Sequence, residues 1–259
     1  MEPAIKVDGY EIDVLIQGFP GRMVCHRGLG WSTVALIRGR GRVALVDVGS
    51  FNMRKGIIEQ LARRGLKPGD VTDVLLTHSH YDHSLNWILF RHARIVIGAQ
   101  ELAWSLKEPW GTGPVPELYA RELQNWPTLH TAVDGEELMP RLTAHVAPGH
   151  TPGHLVFVLK GKDCDAIFTG DAAKNRAELL SRKADASYDE KISSASIEMI
   201  WEFWRRREGS ILVPGHDLPM TQKDGRTQYL EKRKVALKAW FGENIETTTL
   251  IELTLRSPS

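Results

Sequence analysis

The chain has 259 residues, 42% of them hydrophobic and 25% charged, with a formal net charge of +1. That composition fits an ordinary folded protein with a substantial core and offers no basic stripe of the kind that nucleic acids or membrane surfaces attract, so neither is expected as a partner. No apolar run approaches the roughly 18 to 20 residues needed to cross a bilayer, Met1-Glu2-Pro3-Ala4 lacks the charged start and apolar core of a signal peptide, and a cytoplasmic protein is the expectation.

Tyr10 to Gln17 reads as a strand, and Thr33 to Arg38 with Arg42 to Asp47 as a hairpin around Gly39-Arg40-Gly41. Met53 to Arg64 carries helical apolar spacing through Ile57, Ile58 and Leu61, and Gly65 ends it. Val71 to Thr77 follows as a short buried strand. Leu85 to His92 and Gln100 to Leu106 read as helices, with Ser84 as a cap for the first. Thr143 to Ala147, Leu155 to Leu159, Ala166 to Thr169 and Ile211 to Val213 are further short strands, and Ser193 to Arg207 is a helix whose final arginines, Arg205 to Arg207, suit its C-terminal end. A last helix is expected near Tyr229 to Trp240, then a closing strand over Thr247 to Leu255. Nothing in composition divides the chain, so residues 1–259 read as one layered α/β domain. Cys25 and Cys164 match neither a disulfide framework nor a cysteine metal site.

Polar clusters begin where strands stop: Asp47-Val48-Gly49, His78-Ser79-His80, Gly170-Asp171 and Pro214-Gly215-His216-Asp217. Strand C-termini on a layered α/β scaffold converge on one edge, the usual place for a site. The densest cluster, His78-Ser79-His80-Tyr81-Asp82-His83, packs three imidazoles and a carboxylate into six positions. Two histidines one residue apart can face the same way while the next turn addresses a second point, which suggests two adjacent cation sites. His150, Asp171 and His216, each following a glycine, are the candidates for the remaining donors.

With these residues in place, the chain resembles the metallo-β-lactamase superfamily: His-x-His-x-Asp-His stands at positions 78 to 83, and the later His, Asp and His follow in family order as His150, Asp171 and His216. The resemblance runs from about Tyr10 to Met220. It implies a four-layer αββα sandwich with His78, His80 and His150 on one metal, Asp82, His83 and His216 on the other, and Asp171 bridging. Asp47 looks like the acid that orients a ligand imidazole from behind, or else a turn residue capping its strand.

Two divalent ions, Zn²⁺ first with Mn²⁺, Fe²⁺ or Co²⁺ as alternatives, would share a water and lower its pKa toward about 7. The resemblance then implies a hydrolase using a bridging hydroxide, with Asp82 and Asp171 as catalytic carboxylates and Asp82 orienting the attacking oxygen. The pattern is most similar to the acyl-homoserine-lactone lactonase branch, so the expected substrate is a small-molecule lactone, ester or thioester. The lactonases carry a Tyr near the site, whereas Ala172-Ala173-Lys174-Asn175-Arg176 has none; Lys174 is either a substrate contact or part of a solvated loop. Trp104, Trp110, Tyr119 and Trp126 could form an aromatic lid, a homodimer contact or plain core. A phosphodiesterase or nuclease of the same fold is the alternative reading.

Overall fold

The computed structural model describes residues 5–25 and 29–253. Met1 to Ala4 and the last two residues of the expected closing strand, Thr254 and Leu255, lie outside them. Strands β1 (Ile5–Val7), β2 (Tyr10–Ile16), β3 (Val34–Gly39), β4 (Arg42–Val46), β5 (Asp73–Leu75), β6 (Arg94–Gly98) and β7 (Leu129–Ala132) form one seven-stranded sheet in chain order. Strands β8 (Glu137–Met139), β9 (Leu142–Val146), β10 (Leu155–Leu159), β11 (Ala166–Gly170), β12 (Ile211–Pro214), β13 (Met220–Lys223) and β14 (Arg226–Tyr229) form a second, also in chain order. The helices are α1 (Arg54–Ala62), α2 (Tyr81–Ser84), α3 (Ala99–Ser105), α4 (Glu117–Gln124), α5 (Arg176–Ser181) and α6 (Glu190–Arg205).

Three apolar clusters define four layers. The middle one joins the two sheets face to face, with Val46, Leu75 and Val96 from the first and Leu155, Phe157 and Phe168 from the second. The first sheet's outer face is covered by α1, α3 and α4, through residues such as Ile57, Leu61, Leu102 and Leu123. The second sheet's outer face is covered by α5 and α6. All five residues of β10 are buried, as a strand with both faces covered requires. Asp189 caps α6 by accepting from Ile192 N, and Ile197, Ile200, Trp201 and Trp204 turn one stripe of that helix to the sheet. At its end Arg205 lies over the Trp201 ring, Arg206 over the Phe203 ring, and Arg207 pairs with Asp165. The arginine cluster therefore packs on aromatic faces as well as occupying the C-terminal turn.

The αββα arrangement agrees with the fold expected, and most of the strands read from the sequence fall within a residue or two of their limits, whereas β1, β6, β7, β8, β13 and β14 and helices α4 and α5 were not anticipated. Four further features differ. The expected helix at Tyr229 to Trp240 is instead the end of β14, a connector and strand β15 (Ala236–Ala239), which pairs only with β16 (Thr249–Glu252) as a separate two-stranded sheet. Tertiary contacts override its helical spacing: Tyr229 donates to Asp217 at 3.0 Å, and Arg233 pairs with the same carboxylate. The closing strand thus forms but joins neither large sheet. The helix expected at Leu85 starts at Tyr81, inside the histidine cluster, and tightens to a 3-10 turn over Leu85–Phe90. Ser84 does not cap it; its hydroxyl donates to Ser79 O and His80 O. Both cysteines are free.

Candidate metal centre

Parallel pairing makes the edge. Strands β4, β5, β6 and β7 run parallel, as do β11 and β12, so the residues after β4, β5, β11 and β12 leave from the same side. The two sheets are tied there by backbone bonds, Leu155 N to Thr77 O at 2.7 Å and Thr33 N to Gly215 O at 2.6 Å. The edge gathers Asp47, the 78–83 cluster, the β9–β10 loop with His150, then Asp171 and His216.

Within it the candidate donors fall into overlapping groups whose atoms lie within 4.8 Å of one another: His78, His80 and His150; Asp82, His83 and His216; and His78, His83 and Asp171 across the middle. Asp171 Oδ1 is 3.2 Å from His83 Nε2 and 3.3 Å from His216 Nε2, while its Oδ2 is 3.3 Å from His150 Nε2. One carboxylate therefore reaches both groups. Asp82 Oδ2 lies 3.3 Å from His216 Nε2 and 3.7 Å from His83 Nε2.

Glycines permit this density. Gly170, at φ +48°, turns the chain out of β11 ahead of Asp171. A Cβ on Gly215 would overlap Asp171 Oδ1 and stand 2.6 Å from Gly170 O, so only glycine fits between β12 and the central carboxylate. Asp47 also sits at positive φ, +55°, a conformation Asp tolerates better than most residues. Its side chain accepts from Thr77 N at 2.8 Å and lies 2.7 Å from His83 Nδ1. The imidazole thus donates a hydrogen bond from Nδ1–H to Asp47 and turns Nε2 to the centre.

Electrostatics sort the donors. Burial, reinforced by neighbouring imidazoles, holds His78 and His150 well below the usual histidine range and His80 at about 4. Burial opposes protonation of His83 and His216 too, but Asp171 and the carboxylates beside them outweigh it, pushing His83 well up and His216 to about 9. The same histidines overcome the burial of Asp171 and Asp82 and keep both carboxyls low. The residues suit a divalent cation: the imidazoles held neutral at His78, His80 and His150 and the anionic carboxylates are ligating forms, a cation would take the place of the protons that the same carboxylates draw to His83 and His216, buried His78 Nε2 has no hydrogen-bond partner among the described residues, and His80 Nδ1 and His150 Nε2 face each other at 3.0 Å.

Two buried groups were not singled out by sequence reasoning. His154 stacks on His78 with ring centroids 4.9 Å apart and accepts from Asp171 N at 3.0 Å; burial takes it down to about 3. Glu101, on α3, accepts from Ser79 and from the β9–β10 loop; burial pushes its carboxyl up against those bonds.

A cavity of about 550 Å³ opens over the centre, lined by His80, Tyr81, Asp82, His150, Asp171 and His216 among others. Lys174 lines it as well, with Nζ 2.7 Å from Glu178 Oε1 and 2.6 Å from Asp185 O. A tyrosine does reach the cavity, but from the histidine cluster itself, as Tyr81. Trp104 and Trp110 are not among the residues that line it. The Trp104 ring stands 6.2 Å from the His80 ring, Trp110 is exposed with Arg121 over its face, and Tyr119 and Trp126 pack on Phe51 and Trp87. From that segment, Pro114 is the cavity-lining residue.

This fold, with six His and Asp side chains converging beside a central carboxylate, is that of the metallo-beta-lactamase superfamily, whose family model matches residues 27–236; the chain belongs to it. Among its relatives, an N-acyl homoserine lactonase of Bacillus thuringiensis is 24% identical over 164 residues, 62% of each chain. The lactonase AttM of Azorhizobium caulinodans is 27% identical over 173 residues, 63% of this chain and 64% of its own. The match thus spans less than two thirds of either relative. A B. thuringiensis AiiA variant with N-decanoyl-L-homoserine at its active site superimposes with a TM-score of 0.66 at 17% identity, covering 82% of this chain and 94% of that one. AidC, a dizinc quorum-quenching lactonase in complex with a product, does so at 0.64 and 18% identity, covering 90% and 97%. Identity at that level carries the fold alone. Among the described residues no helix is long and apolar enough to cross a membrane.

Proposed function

We propose that the protein is a hydrolase that opens a lactone, ester or thioester in a small molecule with the help of two divalent cations, zinc first among them. His78, His80 and His150 hold one cation, Asp82, His83 and His216 the other, and Asp171 stands between them. The observation that carries this reading is the reach of Asp171, whose two carboxylate oxygens lie within 3.3 Å of imidazoles from both groups. When bound, such a pair of cations supplies a water deprotonated near neutral pH and polarises the carbonyl under attack.

The chain's own residues do the rest. Asp47 fixes the tautomer of His83. Asp82, on the cavity wall and partly open to it, accepts a hydrogen bond from the attacking oxygen and passes the proton toward the leaving group. Beside the site cavity lies a second of about 800 Å³ that shares Phe19, Pro20, Gly21, Asn175 and Ala177 with it and is walled by Leu180, Tyr229 and Leu253; it gives room for the rest of a small substrate. The two cations among the described residues that line the site cavity, Lys174 and Arg22, are each paired with a carboxylate, which makes the cavity less suited to a phosphodiester backbone. Residues 1–259 act as one catalytic unit.

The test is turnover of zinc-loaded protein on a panel of lactones, an aryl ester, a thioester, a β-lactam and a phosphodiester, beside Asp171→Ala. Metal-dependent cleavage of a lactone, ester or thioester, lost in the variant, is the expected result. Turnover of the phosphodiester alone would replace this reading with a nuclease.

A further inference from the structure

Helix α3 begins directly after β6 and drives its third residue, Glu101, into the wall behind the histidines. The side chain is fully buried. Its Oε1 accepts from Ser79 N at 2.9 Å and Ser79 Oγ at 2.7 Å, and its Oε2 from Thr151 Oγ1 at 2.6 Å and Gly153 N at 3.2 Å. Four donors match the roughly four lone-pair directions of one carboxylate. Ser79 lies between His78 and His80, and Thr151 directly follows His150. A single side chain thus grips both peptide segments that bear the first group of donors. The approach is close: a Cβ on Gly153 would overlap the backbone of Glu101, and one on Gly98 would stand 2.6 Å from Gly153 O. In the same helix Trp104 sets its ring beside that of His80.

The second group is held otherwise. His83 leans on Asp47, the Asp82 carbonyl accepts from Ser32 Oγ at 2.5 Å, and His216 N donates to Lys174 O at 2.7 Å. Among the described residues, the hydrogen bonds of Glu101 go to none of these.

We infer that Glu101 is a positioning residue that locks the 78–80 and 150–153 segments together, and so sets the affinity of the His78, His80 and His150 position and not that of its neighbour. The inference rests on the ligand reading above. A residue that orients ligands from behind is worth about 10- to 100-fold in metal affinity, and removing Glu101 also strands four buried donors.

The experiment is competitive zinc titration against a chromophoric chelator, resolving two stepwise constants for wild type, Glu101→Ala, Glu101→Gln and Asp47→Ala. Glu101→Ala is expected to weaken one constant by about 10- to 100-fold and to lower the other much less, the two positions being coupled through Asp171. Glu101→Gln falls between, because the Thr151 hydroxyl can turn to accept from the new amide whereas Gly153 N–H cannot. Asp47→Ala weakens the other constant, so combining Glu101→Ala with Asp47→Ala lowers both. Should Glu101→Ala fail to fold, Thr151→Val removes one of the four donors and carries the same expectation at reduced size. Wild-type binding of two zinc ions with both constants unchanged in the Glu101 variants, or lowered equally, overturns this inference and leaves the ligand reading standing. A wild type that binds no zinc would overturn both.

Discussion

Among the proposed donors, Asp82 is the one whose replacement should separate binding from chemistry. It shares the 78–83 turn with three histidines, yet it lines the cavity where a substrate would lie. Asp82→Asn keeps its shape and removes its charge and basicity, so kcat is expected to fall about 10²- to 10⁴-fold with KM changed far less. Steady-state kinetics on a substrate from the panel, with zinc content measured in parallel, checks this. Full kcat in a variant carrying both metals would remove the proton-handling role. The proposed donors could be picked out because four of the seven stand within six residues and the rest each follow a glycine. His154 and Glu101 could not, because each acts through a hydrogen bond to a residue far along the chain: Asp171 is 17 positions from His154, and Ser79 is 22 from Glu101. Lys174 was ambiguous for the opposite reason: its neighbours in sequence do not say whether a carboxylate meets it, and Glu178 does.

At the scale of elements, the site depends on how tightly the ends of β11 and β12 approach. Gly215 lies against the Asp171 side chain and donates its N–H to Gly170 O at 2.9 Å. Gly215→Ala is expected to displace Asp171 and lower kcat/KM about 10²-fold, the usual cost of shifting a reacting geometry by about 1 Å, while far-UV circular dichroism stays that of wild type. A variant with wild-type kcat/KM would mean that the loop relaxes without moving the carboxylate. Strands here were easy to read because runs such as Leu155 to Leu159 are short, apolar and bounded by turn residues. The stretch from Tyr229 to Trp240 misled because its apolar spacing suits a helix, whereas Arg233 and Tyr229 are drawn to the buried carboxylate of Asp217. Helix α4 was hidden among aromatic and proline-rich neighbours. Its buried side, Ala120 and Leu123, offers only two apolar positions.

At the scale of the molecule, each large sheet is built from one continuous half of the chain, and the turn at Val133 to Glu136 joins them. The first half brings His78, His80, Asp82 and His83, and the second brings His150, Asp171 and His216, so each proposed cation position draws on both. Bound cations would therefore act as rivets across a seam. At a free concentration about 1,000 times the Kd, one site adds about 4 kcal/mol to the state that contains it. A chain nicked within the exposed turn at Gly135 should hold together to a higher urea concentration in zinc than after chelation, as read by gel filtration. Equal midpoints would mean that the apolar seam alone joins the halves. For a molecule organised in this way, the metal supply would decide how well an interrupted backbone survives as well as how fast the intact enzyme turns over.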